Sequence, residues 1–183
     1  MKTFILTTVF FFCILTLGYS QEIAAPAEGK CVVYFVRVSS LGFAINFSYF
    51  DKDKFIGKFN GPKYMRYECE PGEHLFWAHS ENFDFITAEL EAGKIYFIEA
   101  MPQMGVIKAG VHLEPVDPKN SKRLTKIENL INKKSPETYT ESELEAENKN
   151  LQDLIAKGLE RYQKDLEKGK KIERLEKDMF YQK

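Results

Sequence analysis

Between residues 30 and 116, apolar positions recur with a period of two in short runs separated by turn-forming residues. In KCVVYFVRV, starting at Lys30, Val32, Tyr34, Val36 and Val38 share one face while Cys31, Val33, Phe35 and Arg37 share the other. Apolar residues on both faces predict a strand buried on both sides. FAINFSYF alternates similarly, and Asp51 to Lys54 (DKDK) is a polar hairpin turn into FIGKF. After the break at Gly61-Pro62 come KYMRYECE, HLFWAHS, FDFITAELE, KIYFIEA and GVIKAGVHLEPV. About eight strands at spacings of roughly 8 to 12 residues predict an antiparallel β-sandwich over residues 30–117.

The period then changes. Asp117-Pro118 reads as a helix start, and Leu124, Ile127, Leu130 and Ile131 fall on one helical face, predicting a packing helix over residues 118–134. Residues 135–139 form a linker, and Thr140 to Glu143 (TESE) is a capping box. It opens a long, charged amphipathic helix predicted over residues 140–183, with acid-to-lysine pairs such as Glu145 and Lys149. Its apolar stripe is Leu151, Ile155, Leu159, Tyr162 and Leu166, then, after a slip in register, Ile172 and Leu175. About forty residues of helix would extend roughly 60 Å, too far for the body to cover. The stripe must pair with itself, pair with a partner, fold back at a glycine or stay solvated; its residues are the candidate association helix, joining a second copy or an envelope protein in coiled-coil fashion.

The first twenty residues stand apart from the fold. Lys2 precedes an uncharged apolar run from Phe4 to Leu17, followed by Gly18-Tyr19-Ser20, which predicts a secretory signal cleaved before Gln21. The run is shorter than the roughly 20 residues a spanning helix needs, so no transmembrane segment is expected after cleavage. Residues 21–29 are a linker. Export places the mature chain in the periplasm or outside the cell, with envelope association open. Charge is nearly balanced, at 26 Lys and Arg against 27 Asp and Glu, which argues against nucleic acid as partner.

Two cysteines follow the signal, Cys31 and Cys69. In an oxidising compartment they form a disulfide, or they remain two buried thiols; spacing leaves both open. YECEPGEHLFWAHS also sets Cys69, His74 and His79 five residues apart, a spacing that raises the question of a metal or catalytic site. On a strand, His74 and His79 point to opposite faces, and Cys69 with His74 supplies two ligands where a structural zinc takes four. Pro71-Gly72 is instead a structural turn, proline presetting one φ and glycine taking a positive one. Nucleophile-elbow, phosphate-loop and zinc-protease motifs are absent from the sequence, so no enzyme activity, catalytic residue, metal or cofactor is predicted.

GKCVVYFVRVSS, DKFIGKFNG, YECEPGEHLFWA, ITAELEAGKIYFIEA and GVHLEPVD, in this order, resemble the bacterial envelope family designated domain of unknown function 2846. Its opening VYVYR strand, G-x-x-I-G hairpin, PG-x-H turn and L-x-AGK-x-Y hairpin are matched by Val33 to Arg37, Asp53 to Gly57, Pro71 to His74 and Leu90 to Tyr96. The resemblance spans about Gly29 to Lys133. It implies a small exported β-sandwich of no established activity and supplies no catalytic residues. The chain departs from lipoprotein-like relatives in lacking a lipobox, and the helix beyond Ser135 lies outside the pattern. The expected role is a non-catalytic, structural or interaction module of the cell envelope. The alternative is a carrier that binds a small apolar ligand in an aromatic-lined cavity of the sandwich, with Ala100 to Val111 as its mouth.

Overall fold

The run opening at Cys31 forms β1 (Cys31–Arg37), every residue of which is buried. It is central in its sheet and covered on both faces, which is why its apolar residues do not alternate with polar ones. In this computed structural model, which describes residues 23–104 and 109–182, β1 lies between β4 (Lys63–Cys69) and β7 (Ile95–Met104), with β8 (Ala109–Pro115) at the far edge. A second sheet has the order β3 (Lys54–Phe59), β2 (Phe47–Asp51), β5 (Gly72–His79), β6 (Phe83–Leu90), β9 (Glu173–Leu175). The signal segment expected over residues 1–20 lies outside the described residues, as do residues 105–108 of the expected cavity mouth.

The fold is β-rich, with nine strands in two sheets and three helices among the described residues. It is not the antiparallel arrangement of about eight strands with one tail that alternation suggested. β1 runs parallel to β7, and β9 runs parallel to β6. Between β1 and β7 the chain passes twice through the second sheet, so the parallel pair needs no crossover helix to announce it in the sequence.

One core lies between the sheets, built by Cys31, Val33 and Phe35 of β1, Tyr96 and Ile98 of β7, Tyr49 of β2, Phe76 of β5 and Ile86 of β6. The two outer faces are also apolar. Val32, Tyr34, Val36 and Phe97 face α1 (Ser121–Lys133), which covers them with Ile127, Leu130 and Ile131. Asn120 caps α1, its side chain accepting from the Arg123 N–H, so the helix begins after the Asp117-Pro118 start that was expected.

The outer face of the second sheet, Phe50, Phe55, Trp77 and Phe85, is covered by α2 (Glu141–Asn150) and α3 (Gln152–Glu167). The capping box at Thr140 and Glu143 opens α2. The single helix expected over residues 140–183 is therefore two helices and a strand. It breaks at Leu151 (φ −100°, ψ 10°), which turns α3 onto the sheet, and α3 stops before Gly169, whose φ of +69° suits glycine. The chain then adds β9 beside Ile86 to Ala88. Past β9 it crosses to the first sheet, where the Tyr181 N–H donates to the Ile95 carbonyl at 2.7 Å and its hydroxyl reaches Glu128 of α1.

One edge of each sheet is covered as well. At β3, Asn148 Oδ1 accepts from the Phe55 N–H, and the Tyr139 hydroxyl pairs with the N–H and carbonyl of Lys58. At β8, Asn82 bonds both the N–H and the carbonyl of Val111, and Asp84 accepts from the Leu113 N–H. Side chains thus occupy ladder groups that would otherwise recruit another strand.

Candidate functional site

The antiparallel register of β1 and β4 sets Cys31 directly opposite Cys69. Both side chains point into the inter-sheet core as free thiols, Sγ to Sγ 3.6 Å. Cys31 Sγ also lies 3.2 Å from the Glu70 carbonyl and 3.4 Å from the Cys69 carbonyl. After Cys69 the chain leaves the first sheet, and Pro71 and Gly72 carry it into β5 of the second. The turn is therefore an arch between sheets, with Gly72 at φ +122°.

Two residues past Gly72, His74 faces the same core. Its Nδ1 lies 2.8 Å from Asp51 Oδ2 at the end of β2, and its Nε2 lies 2.9 Å from the Glu70 carbonyl. Both partners are acceptors, so only the doubly protonated ring satisfies both nitrogens. Burial opposes that charge, yet the hydrogen bond and charge of Asp51, with the Glu70 carbonyl, hold the His74 pKa above its ordinary value. Tyr67 donates to the same Asp51 oxygen at 3.1 Å, and the His74 ring stacks on Phe76 with centroids 5.2 Å apart.

The Glu70 carbonyl thus joins the imidazolium to the thiol pair. The hydrogen bond from Cys69 lowers the Cys31 pKa against the cost of burial, and the charge of His74 lowers it further. The same bond, with burial, raises Cys69. Of the two sulfurs, Cys31 is the one that yields its proton first, and Cys69 holds its own.

The other histidines lie elsewhere. His79 is on the outer face of the second sheet against Phe83, and His112 on β8 contacts Asp84 at 2.9 Å. Among the described residues no group of three or more His, Cys, Asp or Glu is placed to share a metal ion.

The expected association residues do other work. Leu151, Ile155, Leu159, Tyr162 and Ile172 pack on Phe50, Phe55, Trp77 and Phe85, and Leu175 is in the inter-sheet core. Leu166 alone of the stripe is exposed, at 44%. The stripe is a lid because the second sheet has an apolar outer face that needs one. The core aromatics pack on one another, Phe50 and Trp77 stacking at 3.8 Å, and a groove of about 930 Å³ lies outside the sandwich, between β3 and α2.

Sequence reasoning missed Asp51, which sits in what reads as a solvated turn, and Tyr67, whose partner is remote in sequence. It also missed Arg37, although a charge within a strand buried on both faces was a signal. Arg37 is fully buried, its guanidinium 4.2 Å above the Phe47 ring, and it donates to the carbonyls of Leu41, Gly42 and Ile45 at 2.7 Å each. It thereby fixes the β1–β2 loop, which holds Leu41 and Phe43 in solvent at 52% and 69% exposure.

The chain matches no family model, and no solved structure matches it. It is similar to an uncharacterized protein of Haemophilus influenzae, 30% identical over 106 residues, which covers 57% of this chain and 62% of that protein. The chain thus spans less than two thirds of the length of this relative. No helix among the described residues is long and apolar enough to cross a membrane.

Proposed function

We propose that the chain is an exported, non-catalytic module of the bacterial cell envelope that acts through its β1–β2 loop. The amino-terminal pattern and the order of strand and turn motifs support export and kinship with the envelope family named above. The observation that carries the interaction role is the exposure of Leu41 and Phe43 on a loop anchored by a buried arginine. Single exposed apolar residues are ordinary, but two on one anchored loop, in a chain that covers both outer sheet faces, form a ready contact. Association is accordingly assigned to this loop, since the tail stripe is occupied by the second sheet. Cross-linking in the native envelope fraction should capture a partner or a second copy with the wild type. It should capture at least about tenfold less with Leu41→Ser/Phe43→Ser, because a central apolar anchor carries on the order of 2 kcal/mol. Undiminished capture by a variant of unchanged thermal stability would remove the loop from the interface.

The groove between β3 and α2 favours the carrier as a second reading. Phe55, Tyr139 and Leu144 line it, with Lys54 and Lys149 balanced by Glu141 and Glu145, a setting for a small apolar ligand. That reading requires a bound mass in native spectra of the recovered protein, lost in Leu144→Glu.

A further inference from the structure

We propose that Cys31 and Cys69 form an exchange-active redox site that reacts with small organic disulfides and closes reversibly to an intramolecular disulfide, with His74 and Asp51 as its positioning residues. Neither export nor the loop interface is needed for this inference.

Cys31 and Cys69 are a facing pair in an antiparallel ladder, where Cα atoms lie about 4.5 to 5.5 Å apart, within the range a disulfide spans. Their sulfurs already touch at 3.6 Å. Closure needs side-chain rotation, and no strand has to move.

Two further observations separate this pair from inert core thiols. The first is the chain of contacts from Asp51 through His74 and the Glu70 carbonyl to Cys31, which fixes a positive charge beside two sulfurs in the core. An inert apolar site would raise both thiols, whereas an adjacent cation favours the thiolate that exchange requires. The charged and titratable groups facing the pair are Lys30, Asp51, Tyr67, Glu70, His74 and Tyr96. His74 is the cation that lowers Cys31, while Lys30 is directed outward to its ion pair with Glu70.

The second observation is placement. Cys31 is wholly buried, but Cys69 ends an edge strand and keeps 8% of its surface open. Cys69 is thus the sulfur an external disulfide meets, and Cys31 is the resolving partner. In the first step the Cys31 thiolate takes the Cys69 proton across the 3.6 Å contact, and Cys69 attacks as thiolate. A bond forms between Cys69 Sγ and one reagent sulfur, the reagent's S–S bond breaks, and a thiolate departs with the electron pair. That thiolate takes the Cys31 proton. Cys31 then attacks Cys69 Sγ, the mixed S–S bond breaks, and the second reagent thiolate leaves. The protein has lost two electrons and the reagent, reduced to two thiols, has gained them.

The test uses the full mature chain, folded and without denaturant, with oxidised glutathione as reagent, acid quenching and mass spectrometry with peptide mapping. The wild type should form the intramolecular disulfide and reopen with reduced glutathione. Cys31→Ser should stop at a glutathione adduct on Cys69, and Cys69→Ser should form no adduct at Cys31. His74→Gln and Asp51→Asn should slow closure at neutral pH by roughly three- to tenfold, since one pKa unit is tenfold in thiolate. In both, the pH at which the rate levels off should move upward, a change that a merely structural role would not produce. Closure of the wild type only in urea, in proportion to the unfolded fraction, would overturn the site. Equal rates and pH profiles for wild type and His74→Gln, with unchanged thermal stability, would overturn the role of the histidine.

Discussion

The two sheets are covered by lids of different origin. The first receives α1, which follows β8 directly and lays Ile127, Leu130 and Ile131 on Tyr34 and Phe97. The second receives α2 and α3 from further along the chain and is then extended by β9. Both lids are apolar stripes at helical spacing, yet the first reads as packing and the second as a surface for a partner. The difference lies in the body. A two-sheet fold has two outer faces, and here both are apolar, so two lids are required and α1 supplies one. An apolar stripe says that something covers it; the uncovered faces remaining in the same chain say what.

The largest effect that tests this comparison is removal of the second lid. A chain ending at residue 134 exposes Phe50, Phe55, Trp77 and Phe85 and uncaps the β3 edge. It should lose cooperative thermal unfolding and bind a hydrophobic dye. A well-folded truncated body with an unchanged midpoint would return the tail to an association role.

Point substitutions sharpen the comparison lid by lid. Ile127→Ala in α1 should cost about 2 to 5 kcal/mol in urea unfolding, as for other buried Ile truncations. On the other lid, Gly158 lies flat on Trp77, and a Cβ there would sit 2.7 Å from the indole. Gly158→Ala on an exposed helix would stabilise by about 1 kcal/mol. Here it should destabilise, by roughly 1 to 3 kcal/mol as overpacking does. The two changes act on opposite faces and should add. A stabilising Gly158→Ala would mean that α3 does not rest on Trp77.

Much of the body was legible because alternation is a local property. The doubly buried β1, the arch at Pro71 and Gly72 and the apolar face of α1 each follow from a few neighbouring residues. What was not legible depends on contacts remote in sequence. The parallel pairing of β1 with β7 leaves no trace in either strand's own pattern, and three residues of β9 are too short to alternate. The candidate site divides the same way. Cys31 and Cys69 are visible as a pair of uncertain reach, and register supplies the missing 3.6 Å. Asp51 and Tyr67 acquire meaning only when the end of β2 meets β5 and β4, a contact no spacing encodes.

The smallest effect separates the two histidines of β5, which alternation places on opposite faces. His74, half-buried but held by Asp51 and the Glu70 carbonyl beside Cys31 and Tyr67, has a raised pKa. His79, on the outer face, is lowered by burial, against a small opposing pull from Glu81. The unfolded chain titrates both near about pH 6.5. Above that value the folded state still holds the proton on His74, so its contribution, complete below about pH 6.5, is lost as pH rises through the folded pKa. Below that value the folded state resists protonating His79, so its contribution, complete above about pH 6.5, is lost as pH falls through the folded pKa. Together they give a stability maximum near neutrality with a limb on each side. In urea unfolding across pH 5 to 8, His74→Gln should flatten the alkaline limb alone and His79→Gln the acid limb alone. An alkaline limb that persists unchanged in His74→Gln would show that Asp51 does not hold this histidine protonated.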